Sequence, residues 1–322
     1  MMKKQPIIAI IDSGISEKVY FFDKIIGGVS FFIKENSIFM SDNFNDECGH
    51  GTKCASIIQK YSPQAKLFII KIIDYTEMCE SVLLLQALEF LLDKDVDIIN
   101  ISLSVNSDIY KKEIHDVMER LYKQGKIINV SVRNGFETSF PANDQFCFGV
   151  KGYLSNNMGY SFDENKEIQI LGNIIPEWVC GINERWEWFG GNSKTTAFIS
   201  SIIANILEKI ENTSIESTIK ELKKNQFYTK NKNLLTNNKN DEFKIKKMFE
   251  NTKEILKKYI EEDNINIDTI IWQGRQFKIE DTYNLLKELE NKLNINIEMN
   301  SITIYDFVNV RNLMAFLYKK TI

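Results

Sequence analysis

The chain has 322 residues, 43% hydrophobic and 26% charged, with 15 Gly and 4 Pro, which excludes a disordered, collagen-like or disulfide-framework protein. Its 40 Lys+Arg are interspersed with 44 Asp+Glu for a net charge of −4, so no basic patch marks a nucleic-acid partner. At roughly 150 residues per domain, this length predicts two domains.

Two lysines precede the apolar run Ile7–Ile11, which stops at Asp12-Ser13-Gly14 without a small-residue cleavage site and so does not read as a signal peptide. No apolar stretch approaches the roughly 20 residues that cross a bilayer, so no membrane partner is expected. The cysteines (48, 54, 79, 147, 180) are odd in number and lack metal-ligand spacing. Reduced thiols, no bound metal and a cytoplasmic location are the expectation.

In chain order, Ile7–Ile11, Leu67–Ile73, Val96–Leu103 and Lys126–Val132 have the length and β-branched content of buried strands. Helical patterns separate them. Glu80–Leu92 gathers Leu84, Leu88, Leu91 and Leu92 on one side, and Asp108–Gln124 gathers Ile114, Val117, Met118 and Leu121. Strands alternating with helices predict an α/β fold with a doubly wound, mostly parallel sheet, whose chemistry lies beyond the strands' carboxyl ends. A helix from Thr195 to about Ile210 is apolar nearly all round and is expected to be buried; a short amphipathic helix with Ser214 as N-cap follows. Polar residues fill 225–240, and a new helical pattern opens at Phe243. The expected organisation is a first domain at 1–233, a linker at 234–242 and a small all-α domain at 243–322.

The two histidines narrow the search for a general base. His115, among Glu113, Asp116 and Glu119, reads as a solvated helix-surface residue. His50 lies in Gly49-His50-Gly51-Thr52, where flanking glycines permit close approach to the imidazole. Asp12, at the end of the first strand, is the carboxylate available to orient it. Ser193, in Gly190-Gly191-Asn192-Ser193, opens the buried helix, where free N–H groups favour developing negative charge. A serine needs a base to take its proton, and the base needs a carboxylate to fix its tautomer; Asp12, His50 and Ser193 supply one of each. Asn134-Gly135 reads as a turn that can aim the asparagine amide. The Asp42–Asp46 cluster lacks an EF-hand spacing and reads as a polar surface turn. Cys48 is either a cleft thiol or a packing residue.

The order Asp-Ser-Gly, Gly-His-Gly-Thr, Gly-x-Ser resembles the subtilisin-like serine proteases, or subtilases. Asn100-Ile101-Ser102-Leu103-Ser104 resembles that family's substrate-pairing strand, Val130–Gly135 its oxyanion segment, and Ser139-Phe140-Pro141-Ala142 the Tyr-Pro-Ala that follows; agreement runs over about residues 5–225. The resemblance implies a Ser193-His50-Asp12 triad, an oxyanion hole from Asn134 and the Ser193 amide, and backbone pairing of substrate with Ser102, Leu103 and Ser104. Phe136 and Glu137 line the primary pocket if they point inward; exposure is the other reading. Asn192, Lys194 and Ala197 stand where the family usually has Thr, Met and Pro, so a peptide-binding scaffold without catalysis is the alternative to an endopeptidase. Asp12 lies too near the start for the secretion signal and propeptide of secreted subtilases.

Residues 243–322 predict helices at 243–262, 281–293 and 306–319, an arrangement that resembles acyl carrier proteins and, more narrowly, the carrier-related proteins of bacterial peptide-maturation systems. The attachment serine is replaced by Thr282, so no phosphopantetheine and no other cofactor is expected. The resemblance implies a protease that removes the leader of a ribosomally made precursor peptide, with the C-terminal domain recruiting that precursor or its modifying enzymes.

Overall fold

The computed structural model describes residues 5–74, 79–105, 109–153, 159–210, 214–226, 239–260, 265–271 and 278–321. Of the expected linker 234–242, residues 234–238 lie outside the described set, and 239–242 are not a linker but open the helix Lys239–Tyr259. The chain forms two compact units: 1–175, 180–184 and 190–231 make the first, and 176–179, 185–189 and 232–322 the second.

The first unit is built on a sheet whose described strands are β1 (Ile7–Asp12), β2 (Ile25–Lys34), β3 (Ser37–Ser41), β4 (Lys66–Lys71), β5 (Ile98–Ile101), β6 (Ile127–Ser131), β7 (Phe148–Tyr153), β8 (Tyr160–Phe162) and β9 (Ile170–Asn173), in the order β3-β2-β4-β1-β5-β6-β7-β9-β8. All pairings are parallel except the two edges, β2–β3 and β8–β9. This is the expected doubly wound α/β fold. The order turns around at β1, with β4 on one side and β5 on the other, and such a reversal opens a crevice at the carboxyl ends of the strands.

Strand alternation divides the core between two faces. Ala9, Ile11, Ile99, Ile101, Ile128 and Val130 share one cluster with α2 (Ser81–Phe90) and α3 (Lys111–Lys123). Helices α1 (His50–Tyr61) and α4 (Gly191–Leu207) are also largely buried; Ser214 caps α5 (Ile215–Asn225), its hydroxyl accepting from Ser217 N at 3.2 Å. Strand β5 ends at Ile101, two residues short of the sequence expectation, so Ser102 to Ser104 continue past its carboxyl end.

The second unit contains α6 (Lys239–Tyr259), α7 (Thr282–Leu293) and α8 (Val310–Lys319). To the expected helices the structure adds a hairpin, β10 (Glu177–Cys180) and β11 (Trp186–Phe189), that leaves the chain between β9 and α4. Trp178 is buried with Leu285, Leu289, Phe307 and Leu313, and Trp188 packs edge-on to Phe307. Thr282 is fully buried; its hydroxyl donates to Ile279 O (2.7 Å) and accepts from Trp188 Nε1 (3.1 Å). No helix among the described residues is long and apolar enough to cross a membrane.

Candidate active site

The Asp-Ser-Gly and Gly-His-Gly-Thr segments interlock for steric reasons. A Cβ at Gly51 would lie 2.3 Å from Gly14 O and 3.2 Å from the Asp12 Cβ, so only glycine lets α1 dock on the end of β1. The Gly51 amide donates to Ser13 Oγ (2.8 Å), and the Ser16 amide donates to Thr52 Oγ1 (3.0 Å). That docking brings His50 Nδ1 within 2.7 Å of Asp12 Oδ1, which also accepts the Ser13 amide at 2.8 Å.

Burial of the imidazole disfavours its charge, but the Asp12 carboxylate beside it outweighs this and holds His50 well above its ordinary 6.5. Cys54, one helical turn beyond His50, places its thiol 3.7 Å from Asp12 Oδ2 and 4.0 Å from His50 Nδ1, and burial pushes that thiol up. Asp12, His50 and Cys54 thus bring possible metal ligands within 4.8 Å of one another. The shortest contact among them is the Asp12–His50 hydrogen bond, which engages Nδ1 and Oδ1.

Asp46 was expected in a polar surface turn; it is instead buried and organises the start of α1. It accepts from the amides of Cys48 (3.1 Å), Gly49 (2.7 Å) and Thr52 (2.9 Å) and from the Thr52 hydroxyl (2.6 Å). Burial opposes its charge, yet these donors hold the Asp46 carboxyl below its ordinary 3.8. Asp46 lies three residues ahead of the Gly49 N-cap of α1, outside the capping position, so no cap signal in the sequence pointed to it. Cys48 is half-buried, with its thiol pushed up by burial; the thiol against the Asp–His pair is Cys54.

Ser193 lies in the first turn of α4, nearly buried, and its hydroxyl donates to Ser102 O at 3.1 Å while the Ser102 hydroxyl reaches back to Ser193 O at 3.4 Å. Beneath them runs a buried polar chain: Asn129 Nδ2 to Ser200 Oγ (3.0 Å), Ser200 Oγ to Asn100 Oδ1 (2.9 Å), and Asn100 Nδ2 to Ser102 Oγ (2.9 Å). Ile11 pairs with Ile101, so Asp12, the last residue of β1, and Ser102, just past the end of β5, follow side by side at the reversal of the sheet. His50 hangs from the first and Ser193 from the second.

Asn134 is exposed in the turn after β6, and its Oδ1 accepts the Asn192 amide at 3.2 Å, next to the Ser193 amide. Leu103 and Ser104 are partly buried beyond β5. Phe136 is exposed, with the Arg133 guanidinium 4.8 Å over its ring. Glu137 points outward, 94% exposed, and pairs with Lys151 at 2.6 Å. Lys194 is only 2% exposed and donates from Nζ to Asn173 O at 2.8 Å.

His115 lies on the surface of α3 as expected, over a third exposed, and in addition is bonded through Nδ1 to the buried Asp144 (2.6 Å). Asp144 is 29 residues away in sequence, which hid the pair.

An Asp–His pair and a helix-opening serine gathered where a doubly wound sheet reverses define the subtilisin-like class of domain. The chain belongs to the subtilase family, whose model matches residues 3–249. It is similar to the minor extracellular protease Epr of Bacillus subtilis, 26% identical over 217 residues, which are 63% of this chain and 32% of that protein. Subtilisin amylosacchariticus of Bacillus subtilis subsp. amylosacchariticus and subtilisin J of Geobacillus stearothermophilus are each 22% identical over 218 residues, 63% of this chain and 55% of theirs. The chain thus spans about a third to a half of the length of these relatives.

Proposed function

We propose that the chain is a serine endopeptidase. The observation that carries this reading is the Asp12–His50 hydrogen bond at the end of β1, beside the strand end whose Ser102 holds Ser193. In the reaction, the Ser193 proton leaves the Ser102 carbonyl for His50, and Ser193 Oγ attacks the scissile carbonyl carbon. His50 then returns the proton to the leaving amine, and water hydrolyses the acyl-enzyme by the same steps. Asp12 keeps the imidazole in the tautomer with its proton on Nδ1. The Ser193 amide and the Asn134 side chain donate to the oxyanion. Substrate runs as an extended strand along Ser102, Leu103 and Ser104, reading backbone rather than side chains. Fluorophosphonate labelling that disappears in Ser193→Ala tests this.

One observation favours the alternative, a peptide-binding scaffold that does not cut: the Ser193 hydroxyl is turned onto the Ser102 carbonyl. Failure of the correctly folded wild type to label would end the peptidase reading.

The biological role is leader removal from a ribosomally made precursor in the cytoplasm, with the second unit holding the precursor or its modifying enzymes and so raising the local concentration of cleavage sites. A precursor cleaved no faster than a short peptide spanning the same site would end the recruitment idea. No prosthetic group belongs to this reading, because the Thr282 hydroxyl is buried and engaged at both its donor and acceptor sides. Intact mass after incubation with a phosphopantetheinyl transferase and coenzyme A is expected to be unchanged.

A further inference from the structure

Val132 N donates to Val150 O at 2.9 Å, the last direct rung between the end of β6 and β7. In a parallel ladder the hydrogen bonds are evenly spaced, so the next rung runs from the Gly152 amide to Val132 O. That rung is absent as a direct bond. In its place, Asn192 Nδ2 donates to Val132 O (2.7 Å) and Asn192 Oδ1 accepts the Gly152 amide (2.7 Å). The side-chain amide has the donor and acceptor of a peptide group, and it is inserted between the two strands as a substitute rung. The site is built for it: Asn192 is buried, and a Cβ at Gly152 would lie 2.9 Å from Asn192 Oδ1 and 1.7 Å from Ile174 Cγ2.

The same residue acts through its backbone. Its amide donates to Asn134 Oδ1 (3.2 Å), which leaves Nδ2 as the donor end of the Asn134 amide, and its carbonyl accepts from Thr196 Oγ1 (2.9 Å). Asn192 therefore ties the segment carrying Asn134, the end of β7 and the first turn of α4 to one another, one residue before Ser193.

We propose that Asn192 is a positioning residue that fixes the two oxyanion donors, the Asn134 amide and the Ser193 N–H, relative to each other by taking the place of a rung between β6 and β7. This role rests on the serine-peptidase reading. It makes the departure from the family's usual threonine a working part of the site. Misplacing a donor by about an ångström costs up to roughly a hundredfold in rate.

The test uses the full chain, Asn192→Ala and Asn192→Ser, a short fluorogenic peptide and active-site titration with a fluorophosphonate. Both variants remove the two-ended bridge, and the serine variant keeps a polar group in the buried site should the alanine variant fail to fold. Expected is a fall of about ten- to a hundredfold in kcat per labelled site, with KM within about twofold, because Asn192 does not touch the strand that binds substrate. A purely structural role would reduce the number of labelled sites and leave turnover per site intact. Turnover per labelled site within twofold of wild type in either folded variant overturns the proposal. A wild type that does not label overturns the peptidase reading and this role with it, an outcome distinct from the first.

Discussion

Asp12 and Ser102 follow paired residues on β1 and β5, the two adjacent strands at which the sheet order reverses. Each holds one half of the candidate machinery: Asp12 accepts from His50, and Ser102 accepts from Ser193 through its carbonyl. Residues distant in sequence therefore meet through the pairing of two buried strands, and the site inherits its rigidity from the sheet.

The charge of Asp12 sets the pH range of activity. His50 must be neutral to accept the serine proton, and the neighbouring carboxylate holds it well above 6.5 against the opposing effect of burial. Activity is therefore expected to fall as pH drops through a midpoint above 6.5. Asp12→Asn is expected to move that midpoint down while lowering kcat about 10³–10⁴-fold, since the imidazole loses the group that fixes its tautomer. The kcat/KM profile of both proteins on a short peptide checks this; an unmoved midpoint would detach Asp12 from the titration of His50.

Asp46 is expected to contribute stability through its buried carboxylate. Its folded value is lowered, so the contribution is present above the ordinary 3.8 and disappears as pH falls below it. Asp46→Asn exchanges charged acceptors for a neutral amide at three backbone donors and a hydroxyl, and is expected to cost about 1.5–3 kcal/mol near neutrality. Urea unfolding of both proteins at neutral pH and at about pH 3 measures it. A gap that stays constant into acid would show that the charge is not what these donors read.

His115 has the opposite sign. The Asp144 hydrogen bond raises it above 6.5, so its contribution is full below 6.5 and is lost as pH rises through the raised value. His115 is over a third exposed, and water screens the pair to less than about 1 kcal/mol. His115→Gln is expected to lower the urea midpoint more at about pH 5.5 than at about pH 9. The reverse ordering would show the histidine to be neutral in the folded chain.

Four central strands, β1, β4, β5 and β6, were legible because buried parallel strands write themselves as continuous apolar runs; Ile7–Ile11 became β1 with one residue added. Edge strands leave no such run. The edge strands β3, three apolar residues between serines, and β8, three residues long, carry too short a signal, and the interior strands β2, β7 and β9 are hidden because glycines break their apolar runs. The residue types of the site were legible in the Asp-Ser-Gly, Gly-His-Gly-Thr and Gly-x-Ser motifs, whereas their supports were not. Asn192 stood out only as a departure from threonine, because what it bridges, Val132 and Gly152, is set by strand register. The hairpin was invisible for a related reason. Trp178 and Trp188 precede α4 in sequence, but the residues of the second unit they are buried with, such as Leu285 and Phe307, lie about a hundred residues further on.

That hairpin predicts the result of truncation. Trp178 is buried among residues of α7 and α8, and Trp188 donates to Thr282 and packs on Phe307. Ending the chain at Asn231 removes all of these partners while keeping three of the four tryptophans, Trp178, Trp186 and Trp188. The bared indoles are expected to shift the tryptophan emission to longer wavelength and to bind a hydrophobic dye. In the full chain, Trp178→Ala is expected to cost about 3–5 kcal/mol, the penalty of emptying a buried tryptophan site. The truncated chain is therefore a poor reporter of recruitment, since the hairpin that leads into α4 loses its packing along with the second unit. Unchanged emission and an unchanged Tm in the truncated chain would show instead that the hairpin holds its shape without 232–322, and the tryptophans would then have to be buried by the first unit alone.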